Sequence, residues 1–144
     1  MKKIGVVIIS AIVLSGCGAD GAPSCSDSEV KDLVHSISTD ELKNSVFKNF
    51  VGQSGTIVAG NYDLWKNNPP SDVQMIKDII GKVDDHVENL AMKLEGIRIN
   101  KKDDEIKKSE CSVQLVFSNG SQPSVDYTAQ YTEEGDVYVE VFGL

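Results

Sequence analysis

Apolar residues recur along this chain with two different periods. Between Val30 and Leu94 they return every three or four positions, and from Ile97 to Val141 they alternate with polar ones. The first pattern is that of amphipathic helices, the second that of half-buried strands. Val30, Leu33, Val34 and Ile37 share one helical face behind a capping box of Ser26 and Glu29, which predicts a helix over about 27–37. Ser38 and Glu41 repeat the capping pattern. Leu42, Val46, Phe47 and Phe50 then predict a second helix over about 40–51, with a break or a kink between Ile37 and Asp40.

Residues 52–70 carry no clear period. Gly52, Gly55 and Gly60 punctuate them, Thr56-Ile57-Val58 is an apolar triplet, and Pro69-Pro70 closes the stretch. The glycines match no phosphate-binding spacing. The segment reads as a long surface connection pinned by Tyr62 and Trp65 packing inward. The alternative is a recognition loop, because long ordered loops are often functional and Trp is favoured at interaction hot spots. The clearest helix follows, about 24 residues capped by Ser71 with Gln74. Its stripe is Val73, Ile76, Ile80, Val83, Val87, Leu90 and Leu94, with Asp72, Asp78, Asp84, Asp85 and Glu88 mostly turned away. Gly81 interrupts it, at a bend or a close packing contact, and Gly96 ends it.

The remainder predicts an antiparallel sheet. Ile97 and Ile99 begin a first strand, and Lys101 to Lys108 project as a charged hairpin loop. Cys111, Val113, Leu115 and Phe117 point inward, Asn119-Gly120 signals a turn, and Val125, Tyr127, Ala129 and Tyr131 form the next inward set. After the turn at Glu133-Glu134-Gly135-Asp136 come Val137, Val139 and Val141. Val116, Tyr138 and Phe142 break the polar face, as isolated apolar residues, as a patch for a partner, or as residues packed under the 52–70 segment. The expected class is α+β: N-terminal helices and one long helix packed on a three- to four-stranded antiparallel sheet. The element order resembles cystatin-like and nuclear-transport-factor-2-like folds. Those folds host inhibitors, assembly factors and pocket-bearing enzymes alike, so fold does not decide function.

The first residues are of another kind. Met1-Lys2-Lys3 is basic, and Ile4 to Leu14 is an apolar run of 11 residues, too short for a spanning helix of roughly 20. Leu14-Ser15-Gly16-Cys17 follows and resembles the lipobox of bacterial lipoproteins. The resemblance implies a signal peptide over 1–16, removed on export, and Cys17 as a lipidated first residue carrying palmitate-type acyl chains. Residues 17–26 then form the lipidated cysteine and a flexible tether of small residues, and 27–144 a single domain. Gly18, rather than an aspartate, resembles the pattern for the outer membrane, with the domain facing the periplasm. In a Gram-positive envelope the same anchor would sit on the exterior of the cytoplasmic membrane.

Charge and cysteine count narrow the function. The chain has a net charge of −8, and −10 without the first 16 residues and their two lysines. That excludes nucleic acid as a partner and argues against a second, electrostatic hold on anionic lipid. With Cys17 lipidated, Cys25 and Cys111 are the remaining pair in an oxidising compartment and are expected to form a disulfide. No Cys-x-x-Cys, zinc spacing or cofactor motif is present. His35 and His86 are not placed beside a nucleophile. The acids of the Asp103-Asp104-Glu105 and Glu133–Asp136 turns match neither a glycosidase pair nor a calcium loop.

The expected function is therefore not enzymatic. The chain reads as a membrane-anchored envelope protein that binds another envelope or extracellular protein, as an inhibitor or assembly factor, through Tyr62, Trp65, Tyr138 or Phe142. Its acidity suits a basic target such as a lysozyme. The alternative is a small-molecule domain with a pocket between the long helix and the sheet, lined by Phe117, Tyr127 and Tyr131. A cavity of about 300 Å³ or more favours that alternative, and a filled core with exposed aromatics favours the protein binder.

Overall fold

A computed structural model of the chain describes residues 21–55, 58–69 and 74–144. Cys17 and the leader lie outside the described residues, as do Thr56, Ile57, Ser71, Asp72 and Val73.

The first 26 helical residues form one helix, α1 (Ser28–Gln53), not two. Its N-cap is Asp27 rather than Ser26. No break occurs at 37–40, because the polar residues there are absorbed into the helix. Thr39 donates its hydroxyl to the His35 carbonyl (2.7 Å), and Ser38 is buried. The break expected from the pattern is a change of face. Val30, Leu33, Val34 and Ile37 pack on the sheet, whereas Leu42, Val46, Phe47, Phe50 and Val51 pack on other helices. At 100° per residue the two sets are on the order of 140° apart around the axis.

Four strands follow in a meander: β1 (Lys93–Asp103), β2 (Lys108–Val116), β3 (Ser124–Tyr131) and β4 (Val137–Phe142), ordered β1-β2-β3-β4 and antiparallel throughout. Cys111 opposes Tyr127, Val113 opposes Val125, and Ala129 opposes Val139, so the inward sets meet on one face. The molecule is α+β, with helices packed on a four-stranded antiparallel sheet. Two limits differ from those the pattern suggests. β1 starts at Lys93, so Leu94 belongs to the sheet core and Gly96 sits in a bulge with φ +64° instead of ending a helix. Residues 101–103 and Lys108 are in strands, which shortens the charged loop to a turn at 104–107.

The helix that covers the sheet is α1. A short helix, α2 (Tyr62–Asn67), and α3 (Gln74–Leu90) form a second layer against the C-terminal half of α1. Val30 and Val34 join Cys25, Cys111, Val113, Leu115, Val125, Tyr127, Ala129 and Val139 in a sheet core. Phe47, Val51 and Tyr62 join Ile76, Ile79, Ile80, Val83 and Val87 in a helical core. The stripe of α3 is thus spent on α1 and α2. The chain ends α3 at Leu90 by a left-handed Ala91 (φ +45°), and Ser118 caps its last carbonyls, its amide donating to Leu90 and its hydroxyl to Asn89. Gly81 faces open space, so no close packing contact accounts for it.

The Cys25–Cys111 disulfide is present, with Cα atoms 5.9 Å apart. It belongs to a wider docking of the N-terminal segment. Pro23 and Cys25 are buried, the Ser109 hydroxyl donates to the Pro23 carbonyl (2.7 Å), and the Tyr127 hydroxyl donates to the Cys25 carbonyl (2.7 Å). Burial pushes the Tyr127 hydroxyl up to about 12, so it stays a donor. Residues 21–26, expected to be tether, are instead fixed to the sheet. Pro23 and Cys25 are the buried side chains among them, while Ser24 and Ser26 face solvent.

Candidate functional site

Three features carry polar or exposed groups that packing alone does not use up. The first is a cluster on Asp84 of α3. Lys66 of α2 and Lys43 of α1 pair with its two oxygens at 2.6 and 3.1 Å, and the Tyr62 hydroxyl donates to it as well. The Lys43 ammonium also lies over the Tyr62 ring, 5.2 Å from its centre. α2 is set here by Asn61, whose side chain accepts from the Leu64 amide, and by Asn44, which accepts from the Tyr62 amide. Partial burial pushes the Asp84 carboxyl up, but the hydrogen bonds from Lys66, Tyr62 and Lys43 outweigh it and hold it at about 2. Tyr62 is pushed up to about 12 by burial and by Asp84.

A carboxylate saturated by three donors and a phenol that stays protonated cannot exchange protons near neutrality. The cluster therefore joins α1, α2 and α3. An open cleft of about 520 Å³ lies beside it, and its one imidazole, His35, hydrogen-bonds the Met92 carbonyl at 3.2 Å. His86 is on the surface, edge-on to Phe50. The lowered carboxyl pKa gives a pH signature. The group stabilises the fold fully above about pH 4, and its contribution is lost as pH falls through about 2. Asp84→Asn is expected to cost about 1–2 kcal/mol in urea unfolding at pH 7 and about half that at pH 3. The same loss at both pH values would mean that charge is not what the cluster uses.

The second feature is a cleft of about 410 Å³ between α1 and the far end of the sheet. Leu42, Phe117 and Val125 line it, with Lys48 also on its wall and the Ser38 hydroxyl buried without a hydrogen-bond partner among the described residues. Of the three pocket residues expected from the sequence, only Phe117 is in this wall. Tyr127 is sealed in the core and Tyr131 is half-buried elsewhere.

The third is the outer face of the sheet. Tyr138 and Phe142 of β4 are 54% and 50% exposed there, on either side of Glu140. Asp126 opposes Phe142, and Thr128 opposes Glu140. From Ser109 to Leu144 the chain holds six acids and no lysine or arginine, so β3 and β4 carry acidic charge alone, while Lys101 and Lys108 place base on the same face of β1 and β2. Glu140 pushes the Tyr138 hydroxyl up by its charge and by accepting its hydrogen bond. Of the four contact residues expected from the sequence, these two are displayed. Trp65 is half-buried with its indole N–H donating to the Ala59 carbonyl (2.9 Å), and Tyr62 is 4% exposed, its ring edge-on to Phe47. Tyr62 has no surface to offer a partner, because its ring fills the helical core and its hydroxyl is held by Asp84.

No family model, curated protein or solved structure matches the chain. Its function is therefore argued from its own geometry. Among the described residues no three histidine, cysteine or acidic side chains gather to hold a metal ion, and no helix is long and apolar enough to cross a membrane.

Proposed function

We propose that this chain is a lipid-anchored envelope protein that binds a basic protein surface through the outer face of β3 and β4. The anchor rests on the lipobox at Cys17. The binding role rests on one observation: two large aromatic rings stand exposed on the outer face of β3 and β4, strands whose only charged residues are Asp126 and Glu140. Burying such rings is costly to forgo, and aromatic side chains supply much of the energy of protein interfaces. Asp126 and Glu140 flank them, and the turn acids Glu133, Glu134 and Asp136 extend the same potential, which favours a positively charged partner and speeds its encounter.

The pair Tyr138→Ala and Phe142→Ala, made together, is expected to leave stability within about 0.5 kcal/mol, since both rings are on the surface. It is expected to weaken partner binding at least about tenfold. Charge reversal at Asp126 and Glu140 is expected to slow association, most at low salt. The measurement is quantitative crosslinking in intact envelopes. Equal capture of the same proteins by wild type and both variants would rule the face out.

Two observations favour a small-molecule site instead: the cleft beneath α1, at about 410 Å³, is large enough for a ligand, and the Ser38 hydroxyl beside it has no hydrogen-bond partner among the described residues. A buried hydroxyl without a partner costs about 1–3 kcal/mol, which a ligand oxygen would recover. Ser38→Ala separates the two readings: it would weaken a ligand in the cleft and leave protein capture at the sheet unchanged.

A further inference from the structure

The described chain begins at one corner of the sheet. The Ala22 amide donates to the Asp104 carboxylate in the β1–β2 turn (2.9 Å), and Gly21 lies against the same side chain. Ser109 holds Pro23 and the disulfide holds Cys25, so this corner is where the N-terminal segment leaves the domain. Four residue steps separate Gly21 from Cys17. They reach at most about 14 Å. The turn itself is firm: Asp103 accepts from the Glu105 and Ile106 amides, and Gln130 and Tyr131 of β3 donate to the Ile106 and Lys107 carbonyls.

We infer that this corner, residues 101–108, rests in the phospholipid headgroup layer, with Ile106 entering it and the flanking lysines meeting lipid phosphates. The inference rests on the anchor at Cys17 proposed above. Ile106 is 55% exposed at the tip. Lys101, Lys102, Lys107 and Lys108 surround it, against Asp103, Asp104 and Glu105. Asp104 pairs with Lys102 (3.0 Å) and accepts from the Ala22 amide, and Asp103 accepts from the turn amides, which leaves Lys101, Lys107 and Lys108 against Asp103 and Glu105. The other turn at this end of the sheet, between β3 and β4, bears Glu133, Glu134 and Asp136 and no base. It lies two strand spacings away, roughly 10 Å. Lipid phosphates attract the first corner and repel the second, so the sheet stands tilted, β1–β2 corner down. The mature chain's net negative charge argues against a basic patch only on average, because four lysines gather within residues 101–108 while β3, β4 and the turn between them carry acids and no base. The tilt also raises β4, with Tyr138 and Phe142, further from the lipid than β1.

The test uses acylated full-length protein in phosphatidylcholine vesicles containing lipid brominated near the headgroup. The native chain has one tryptophan, Trp65, which serves as background. An I106W probe is expected to lose emission to the bromines, whereas an E134W probe and the wild type are not. K107E with K108E is expected to relieve the quenching of I106W. Flotation of the vesicles and the mass of the acylated Cys17 peptide report the anchor separately. Protein that floats while I106W is quenched no more than E134W overturns the inference and leaves the anchor standing. Protein that neither floats nor carries acyl chains overturns both. A C17S chain is expected not to float, since one isoleucine and a few lysines hold a surface only weakly.

Discussion

Serine at both Cys25 and Cys111 is expected to lower the stability of the domain by about 2–5 kcal/mol. The bond closes a loop with a sequence separation of 86 residues. Loop-closure entropy alone gives about 4.5 kcal/mol for a ring of that size. Against a typical stability of about 5–15 kcal/mol, that is a large share. Both sulfurs sit in the sheet core, so the serine hydroxyls would also need partners the core does not offer. Part of the loss is local. Without the bond, the segment keeps the hydrogen bonds from Ser109 and Tyr127, that of the Ala22 amide, and the packing of Pro23, which open more readily than a covalent link. Guanidinium unfolding of the double variant beside the oxidised wild type measures the total. Hydrogen exchange at residues 22–27 measures the local part. A double variant within 0.5 kcal/mol of wild type would show that the packing of Pro23 and Tyr127 is sufficient by itself.

In the proposed lipid-anchored protein, the same bond links stability to the position of the anchor. While the disulfide is closed, Cys17 is about 14 Å or less from the β1–β2 corner. Once residues 21–27 detach, the span from Cys17 to α1 grows to eleven steps, roughly 38 Å. Under the proposed anchoring, the disulfide sets how far the domain can move from the lipid surface.

The sheet was legible because period-two alternation survives wherever one face is buried. Cys111 to Leu115 and Val125 to Ala129 are the clearest runs, and their inward residues are the sheet core. Tyr138 and Phe142 were legible as breaks in that alternation. The disulfide followed from counting cysteines once Cys17 was assigned to lipid. What stayed hidden depended on tertiary context. α1 looked like two helices because its apolar face changes sides where one partner layer gives way to the next. The end of α3 was hidden because Leu94 continues the helical spacing by coincidence, and Ser118, which caps the helix, comes from the β2–β3 connection. The Asp84 cluster could not be read at all: Lys43, Tyr62, Lys66 and Asp84 come from three helices, and no spacing links them. The burial of Pro23 leaves no mark in the sequence, because small residues look the same whether they are solvated or tucked under a sheet.

Phe47→Ala is expected to cost about 3–5 kcal/mol. Phe47 is 1% exposed at the centre of the helical core, with its ring 6.4 Å from that of Tyr62. Removing it leaves a cavity bounded by α1, α2 and α3, and Asp84 and its two lysines restrain those helices from closing over it. The consequence reaches beyond the helical layer because α1 is shared. Val30 and Val34 are at one end of the helix in the sheet core, and Phe47 and Val51 are at the other. If α1 unfolds from its C-terminal half, the sheet loses its cover and exposes Val113, Leu115 and Val125. The variant is therefore expected to unfold in one transition. Amides of β2 and β3 would lose hydrogen-exchange protection by the same free energy as those of α3. Should the β2 and β3 amides keep wild-type protection while α3 opens, the two cores are independent, and α1 does not couple them. The sheet would then stand alone, with its disulfide and the N-terminal half of α1, and the display of Tyr138 and Phe142 would not depend on the helical layer.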